Sequence, residues 1–492
     1  MELKIKSSDW SAGIPVAMLN RKTARKLGVH PGDRITIKRL NKSQREISTI
    51  IDTVQGRMKE EYLGVTEEIK KELSLREGEK VEVFILPTTE SINLIKKKLS
   101  GDKLKKEEIK KIISDISTNV LSEAEIAVFI SAMYEKGMDF QETVGLIEAI
   151  LLTGKIMKFG GRCVVDKHCI GGIAGNRTTP IVVAICAAAG LTFPKTSSRA
   201  ITSAAGTADC IEVLAPVDLP MQKVEKIVKK VGACLTWGGS LEMVPADSKI
   251  IQIEKTLKID PPAQLLASIM SKKLASGSKY ILIDIPYGEG AKVTKRKAIK
   301  LKKKFEKLGE HFKLKLKAVL THANEPIGRG VGPALEIMDV LKVLMIDKEA
   351  PKDLEEKSIF LAGKILELSG KVKKEKGEEF SRVLLYSGRA YKKFEEIIKA
   401  QGGKVVMPEF SKIKREIYSG KSGEIKEIKN KEINSLARVA GCPQDKFAGV
   451  YLHHHVGDKI KKGDKILTIY AESHPRIKGA LKYYQKSDPI KI

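Results

Sequence analysis

The spacing of apolar residues changes along the chain and divides it into stretches of different secondary structure. In residues 1–88 the apolar positions alternate. Arg34-Ile35-Thr36-Ile37-Lys38-Arg39 and Lys80-Val81-Glu82-Val83-Phe84-Ile85-Leu86 each follow a turn, Pro31-Gly32-Asp33 and Glu77-Gly78-Glu79, and read as half-buried strands. The two halves of this stretch look alike: a short helix ending in Leu27-Gly28-Val29 or Leu73-Ser74-Leu75, then a turn, then a strand. That repetition predicts a small, internally duplicated β-barrel. Over residues 89–158 the period becomes helical, and Ser122 followed by Glu125 supplies a capping box for a helix through residues 127–134, so this part is expected to be all α. Residues 159–374 alternate short apolar runs with helical ones, the pattern of an α/β domain with a largely parallel sheet, and residues 375–492 turn α+β.

Composition changes this picture little. A chain of 492 residues with 42% hydrophobic content holds several cores, and no apolar run reaches the length of a membrane span. The N-terminus Met1-Glu2-Leu3-Lys4-Ile5-Lys6 has no signal-peptide core, so a cytoplasmic protein is expected. The net charge of +28 comes from lysines spread along the chain, usually with glutamates nearby, and aromatic residues make up only 5%. Dispersed Lys/Glu richness is typical of heat-adapted surfaces, whereas nucleic-acid binders concentrate their charge, so neither nucleic acid nor membrane is expected as a partner. Cys163, Cys169, Cys186, Cys210, Cys234 and Cys442 lack metal-site spacing and read as reduced core thiols. His453-His454-His455 alternate faces in a strand and read as structural. The segment from Gly449 to Ile469 resembles half of a biotinyl-type sandwich, but it has no lysine hairpin for a carried cofactor and is also read as structural.

The chemistry concentrates in two loops. The first, Asp166-Lys167-His168-Cys169-Ile170-Gly171-Gly172-Ile173-Ala174-Gly175-Asn176-Arg177-Thr178-Thr179, lies behind a strand and opens onto a helix, with Thr179 as expected N-cap and Pro180 as first helical residue. Free amides and the positive end of a helix dipole make such a place an anion site. The second loop, residues 195–209, offers the hydroxyls of Thr196, Ser197, Ser198, Thr202, Ser203 and Thr207, one arginine, and small residues that allow close backbone approach. Neither loop is a Walker P-loop or a GxGxxG fingerprint. Each taken alone is also compatible with an ordinary strand-to-helix connection; two in tandem favour phosphate binding.

The run Ser197-Ser198-Arg199-Ala200-Ile201-Thr202-Ser203-Ala204-Ala205-Gly206-Thr207-Ala208-Asp209-Cys210-Ile211-Glu212 resembles the signature of the thymidine and pyrimidine-nucleoside phosphorylases. Asp166-Lys167-His168 with Gly171-Gly172 resembles their phosphate loop. The wording of the second loop is most similar to the archaeal AMP-phosphorylase branch, which carries an extra N-terminal domain. The resemblance covers nearly the whole chain. It implies four domains: residues 1–88, residues 89–158 joined in space by part of 215–275, residues 159–374 and residues 375–492.

What the resemblance implies for the site is specific. Lys167, Thr179, Ser197 and Thr207 correspond to the phosphate cradle, in which Cys169 replaces the usual serine. The nucleotide positions fall on Gly172, Ser198, Arg199, Ala200, Ile201, Thr202, Ser203, Thr207, Ser268 and Lys292, and Lys272, four residues after Ser268, falls on the base side. Asp260 corresponds to the proton donor for the leaving base and His168 to a second group near it, although Asp260-Pro261 is equally the wording of a helix cap. Lys292, on a loop where a lysine is often merely solvated, would meet a 5′-phosphate. The glycines of Gly328-Arg329-Gly330-Val331-Gly332 suit a hinge.

The implied reaction turns AMP and phosphate into free base and ribose 1,5-bisphosphate in nucleotide degradation or salvage, with CMP and UMP as candidate congeners. The alternative is a thymidine or pyrimidine-nucleoside phosphorylase, but the arginine that clamps a pyrimidine in those enzymes is Ile253 here. Anthranilate phosphoribosyltransferases share the fold and bind pyrophosphate through Mg²⁺; the acidic pair for that metal is not evident, so no metal or cofactor is expected. A dimer or larger homo-oligomer packed through the all-α segment is expected from the family and from the apolar surface of residues 124–150.

Overall fold

The computed structural model describes residues 1–7, 11, 15–40, 45–56, 58–85, 89–200 and 203–492. The chain divides into two compact units, one made of Met1–Thr153 with Val244–Ser268, the other of Gly154–Met243 with Ile269–Ile492.

The first unit opens with a closed barrel. Strands β1 (Glu2–Ser7), β2 (Val16–Asn20), β3 (Arg34–Arg39), β4 (Glu46–Val54), β5 (Tyr62–Val65) and β6 (Lys80–Ile85) join in the order β1-β5-β2-β4-β3-β6. The alternation seen in the sequence points Ile35, Ile37, Val81 and Val83 into a core with Ile5, Leu19, Ile51 and Leu63. The duplication is visible in the pairing. Exchanging β1 with β4, β2 with β5 and β3 with β6 turns the parallel ladder β1·β5 into the parallel ladder β2·β4, and the antiparallel β1·β6 into the antiparallel β3·β4. Helices α1 (Arg21–Leu27) and α2 (Glu67–Leu73) occupy equivalent places, each stopped by a left-handed residue, Gly28 (φ 72°) and Ser74 (φ 52°).

Four helices follow, α3 (Glu90–Leu99), α4 (Lys106–Ser117), α5 (Glu123–Lys136) and α6 (Phe140–Leu152), and α10 (Pro245–Leu257) packs on α4 and α5. The Ser122 capping box forms as expected: the Glu125 amide donates to Ser122 Oγ at 3.1 Å and the Ser122 amide to Glu125 Oε2 at 2.6 Å. Helix α11 (Pro262–Ala275) carries the chain from the first unit into the second.

The second unit is built on parallel strands. β7 (Val165–Cys169), β10 (Tyr280–Tyr287) and β11 (Lys315–His322) form one ladder in the order β11-β10-β7; β8 (Phe193–Ser197) and β9 (Ala233–Trp237) form another, and the parallel bridge Val164–Thr192 links the two. Around them lie α7 (Thr178–Ala188), α8 (Thr207–Ile211), α9 (Met221–Val231), α12 (Lys295–His311), α13 (Pro333–Leu344), α14 (Lys352–Leu368), α15 (Gly377–Tyr386) and α16 (Arg389–Gln401). Helix α7 is buried from Thr178 to Ala187, which accounts for its unbroken apolar sequence after Pro180. Its core takes in Leu361, Leu384 and Phe394 from α14, α15 and α16.

The C-terminal part forms a second core in this unit. β12 (Gly330–Val331) joins Gly449–Leu452, Lys465–Tyr470 and Lys414–Tyr418 in a four-stranded antiparallel sheet, and helix α17 (Asn430–Ala440) packs on it. The histidine triplet splits up: His453 meets Thr468, His454 meets Asp458 and His455 meets Glu325.

Candidate functional site

Both glycine- and hydroxyl-rich loops leave the carboxyl ends of parallel strands, β7 and β8, and enter helices α7 and α8, the place where α/β sheets bind ligands. At the first loop α7 begins two residues earlier than expected: Arg177 is the N-cap, Thr178 the first helical residue, and no side chain caps the helix. Thr179 is therefore not the cap. The threonine hydroxyls are engaged by Lys167 instead, whose Nζ donates to Thr178 Oγ1 at 2.9 Å and Thr179 Oγ1 at 3.5 Å. Thr178, unremarked in the sequence, has the shorter contact. Gly171 (φ 84°) and Gly172 (φ 94°) turn the chain back. A Cβ on Gly172 would sit 2.9 Å from Lys292 Cβ, so glycine is what lets the exposed Lys292 loop approach. Cys169 Sγ accepts from the Gly171 amide at 3.5 Å and from Asn176 Nδ2 at 3.4 Å. The thiol therefore takes an acceptor role inside the loop, and burial pushes its pKa up.

The second loop is held by an acid and two arginines. Asp209 Oδ2 accepts from the amides of Ala200 (2.7 Å) and Gly206 (2.8 Å), and Arg199 pairs with Asp209 at 3.2 Å and Glu212 at 2.7 Å while its guanidinium lies over Trp237. Arg177 crosses from the first loop to the second: it donates to Thr207 Oγ1 at 2.7 Å and to the Ala205 carbonyl at 2.8 Å, and is anchored on the buried Glu336. Ser197 Oγ donates to the Thr236 carbonyl and Ser203 Oγ to that of Ala205. Ile201 and Thr202 lie outside the described residues. Asp209→Ala strands two amides, while Arg199 keeps Glu212, and is expected to cost about 2–4 kcal/mol of stability, read as a fall in Tm; an unchanged Tm contradicts this account of the loop.

The electrostatics are one-sided. Lys273 and Lys195 flank the fully buried Asp166 at 2.7 and 3.4 Å, and Lys357 lies 3.4 Å from the buried Asp284, which also accepts from Thr321. With Lys167, which among the described residues meets no carboxylate at ion-pair distance, four ammonium groups face two carboxylates below the loops. Burial depresses the pKa of Lys167 and brings that of Lys273 to about 7. His168, half-buried on β7, is held well below its usual pKa by burial and then by Lys273, Lys195, Lys272 and Lys167. Such a cluster is completed by an anion.

The glycine segment at residues 328–332 is not a hinge. Gly328 N–H donates to Asp353 at 2.8 Å, Arg329 and Gly330 N–H both donate to Asp339 Oδ2 at 2.7 Å, and Ile327 N–H donates to the Ala174 carbonyl at 3.0 Å. Pinned amides make it a brace for the first loop, and its glycines serve close packing: a Cβ on Gly330 would sit 2.4 Å from the Leu335 carbonyl.

In the first unit, Asp260 is exposed and α11 begins at Pro262, with the Leu265 amide donating to the Pro261 carbonyl. Pro261 thus stands directly before the helix, and Asp260 lies one position before it. Ser268 Oγ donates to the buried Asp247 at 3.0 Å, beside Gln264 Nε2 at 2.9 Å on the other oxygen. Lys272, in the second unit, is half-buried.

This fold and these loops define a nucleoside-type glycosyl transferase. Residues 92–154 match the helical bundle domain of the glycosyl transferase family, residues 161–391 its a/b domain, and residues 424–491 the pyrimidine nucleoside phosphorylase C-terminal domain. The crystal structure of anthranilate phosphoribosyltransferase from Thermus thermophilus superposes with a TM-score of 0.53 at 17% identity, covering 63% of this chain and 99% of that one, a likeness of fold. The chain is 42% identical to an AMP phosphorylase of Pyrococcus furiosus, with 100% of this chain and 98% of the relative covered. It is 41% identical to one of Thermococcus sibiricus over the same shares, and 40% identical to one of Methanocaldococcus jannaschii over 97% and 95%. The chain belongs to the AMP phosphorylase family.

Proposed function

We propose that the chain catalyses phosphorolysis of nucleoside 5′-monophosphates: AMP and inorganic phosphate give adenine and ribose 1,5-bisphosphate, with CMP and UMP as further substrates to be tried. A phosphate oxygen attacks C1′, the bond from C1′ to the base breaks with its electron pair going to the base, and the base takes up a proton. No cofactor is needed, since the exchange is between the two substrates. The observation that carries this reading is the surplus of buried positive charge beneath two loops that open at helix N-termini.

In this reading Lys167, Thr179, Ser197 and Thr207 hold the attacking phosphate. Gly172, Ser198, Arg199, Ala200, Ile201, Thr202, Ser203, Thr207, Ser268 and Lys292 bind the nucleotide, and Lys272 serves the base side. Asp260 is the proposed proton donor, with His168 as the second candidate near the base. Phosphorolysis of pyrimidine nucleosides is disfavoured by Ile253, a buried side chain on α10 where a base-clamping arginine would be required.

Among the described residues no helix is long and apolar enough to cross a membrane, and the enzyme is proposed to act in the cytoplasm as a homo-oligomer. The test is selectivity: AMP should be cleaved far more efficiently than adenosine or thymidine, and equal efficiencies would defeat the nucleotide assignment. Lys292→Ala should raise KM for AMP about tenfold or more and leave KM for phosphate within about threefold, because its charge answers the 5′-phosphate. Equal losses for both substrates would assign Lys292 elsewhere.

A further inference from the structure

We propose that Asn430 and Asn434, on helix α17 of the C-terminal layer, are positioning residues that fix the two anion-binding loops relative to each other. The proposal rests on the phosphorolytic function above for its kinetic consequences, though not for its geometry.

The two asparagines are one helical turn apart. Asn430 Oδ1 accepts from the Ala174 amide at 3.2 Å, in the middle of the first loop, and Asn434 Oδ1 accepts from the Ala204 amide at 2.9 Å, in the second. Both side chains are buried, and Asn434 Nδ2 donates to the Asn430 carbonyl at 3.1 Å, so the pair forms one chain of bonds. Each oxygen faces a backbone N–H and only an oxygen can accept there, which fixes both amide orientations. The side chains of Ala174 and Ala204 are themselves part of the C-terminal hydrophobic core. Each loop is therefore tied at its middle to the same layer, by its own alanine methyl buried in that core and by its amide bonded to an asparagine side chain.

The consequence is geometric. Ala174 lies between Gly172 and Thr178, and Ala204 between Ser203 and Thr207, so each asparagine sits at the centre of a loop whose ends carry the proposed phosphate and nucleotide contacts. The Lys292 loop comes close as well: a Cβ on Gly290 would lie 3.9 Å from Asn430 Cβ. A rigid helix that spaces the two loops presets the distance between attacking phosphate and ribose, and a misplacement of about 1 Å costs roughly 10²-fold in rate.

The variants that test this separate hydrogen bonding from shape. Asn430→Leu keeps the volume and removes the acceptor. Asn430→Asp keeps the acceptor, and as the first residue of α17 it places a negative charge where the helix dipole favours one. Nδ2 of Asn430 has no partner, so the aspartate loses no bond. Asn430→Leu and Asn434→Leu are expected to lower kcat/KM for both AMP and phosphate about tenfold or more, with Asn430→Asp within about threefold of the parent. Full activity in both leucine variants, or an aspartate variant as impaired as the leucine one, would overturn the proposal. If the leucine variants do not fold, hydrogen exchange of the parent enzyme decides: residues 170–177 and 203–207 should share the protection of α17, and loops exchanging about 100-fold faster than the helix would overturn it. A parent without AMP phosphorolysis would instead defeat the functional reading and leave the exchange result standing.

Discussion

Lys167→Met is expected to lower kcat/KM for phosphate by about 10³-fold and to make the protein more stable by about 1 kcal/mol or more. The two effects share a cause. Lys167 is 1% exposed and meets two threonine hydroxyls, with no carboxylate at ion-pair distance among the described residues, and burial depresses its pKa. Methionine fills much the same space without the charge. A site kept strained for an anion gains stability when its charge is removed and loses function, the usual trade between the two. Steady-state kinetics in phosphate and thermal unfolding check both halves. A destabilised variant that still uses phosphate normally would make Lys167 a structural residue.

Asp260→Asn is expected to lower kcat by roughly 10²- to 10⁴-fold with KM for AMP and Tm little changed. The last expectation follows from an isosteric change at an exposed position, where the amide oxygen keeps the acceptor role of the carboxylate. A variant with near-normal kcat would remove Asp260 from the chemistry. The acid role would then shift towards His168.

The sequence disclosed those features whose causes are local. Alternation in Lys80 to Ile85 marks a strand because period two is a property of consecutive residues, and the Ser122–Glu125 box spans a single turn. The duplicated barrel was visible for the same reason: its two halves repeat the same helix, turn and strand. Two expectations failed where distant partners decide. Thr179 reads as a cap until Lys167, on the preceding strand, engages its hydroxyl and that of Thr178. The glycines at residues 328–332 read as a hinge until Asp339 and Asp353 pin the amides between them. Asp260 falls one position before the residue that precedes the helix, a local choice that two adjacent prolines leave open in the sequence.

The largest omissions have the same origin. Arg177 couples the two loops through Thr207 and is anchored by Glu336, which lies 159 positions away. Asn430 is 256 positions from Ala174. No periodicity or motif links residues so far apart in one chain. The family resemblance supplied the residues proposed to touch substrate, whereas those that hold the loops in place became apparent only in three dimensions.

Whether phosphate is a substrate and not merely a bound ion is tested most directly by measuring adenine release from AMP with and without inorganic phosphate. Release is predicted only when phosphate is present, with one ribose 1,5-bisphosphate formed for each adenine. Adenine release at the same rate without phosphate, yielding ribose 5-phosphate, would show a hydrolase and contradict the phosphorolytic assignment.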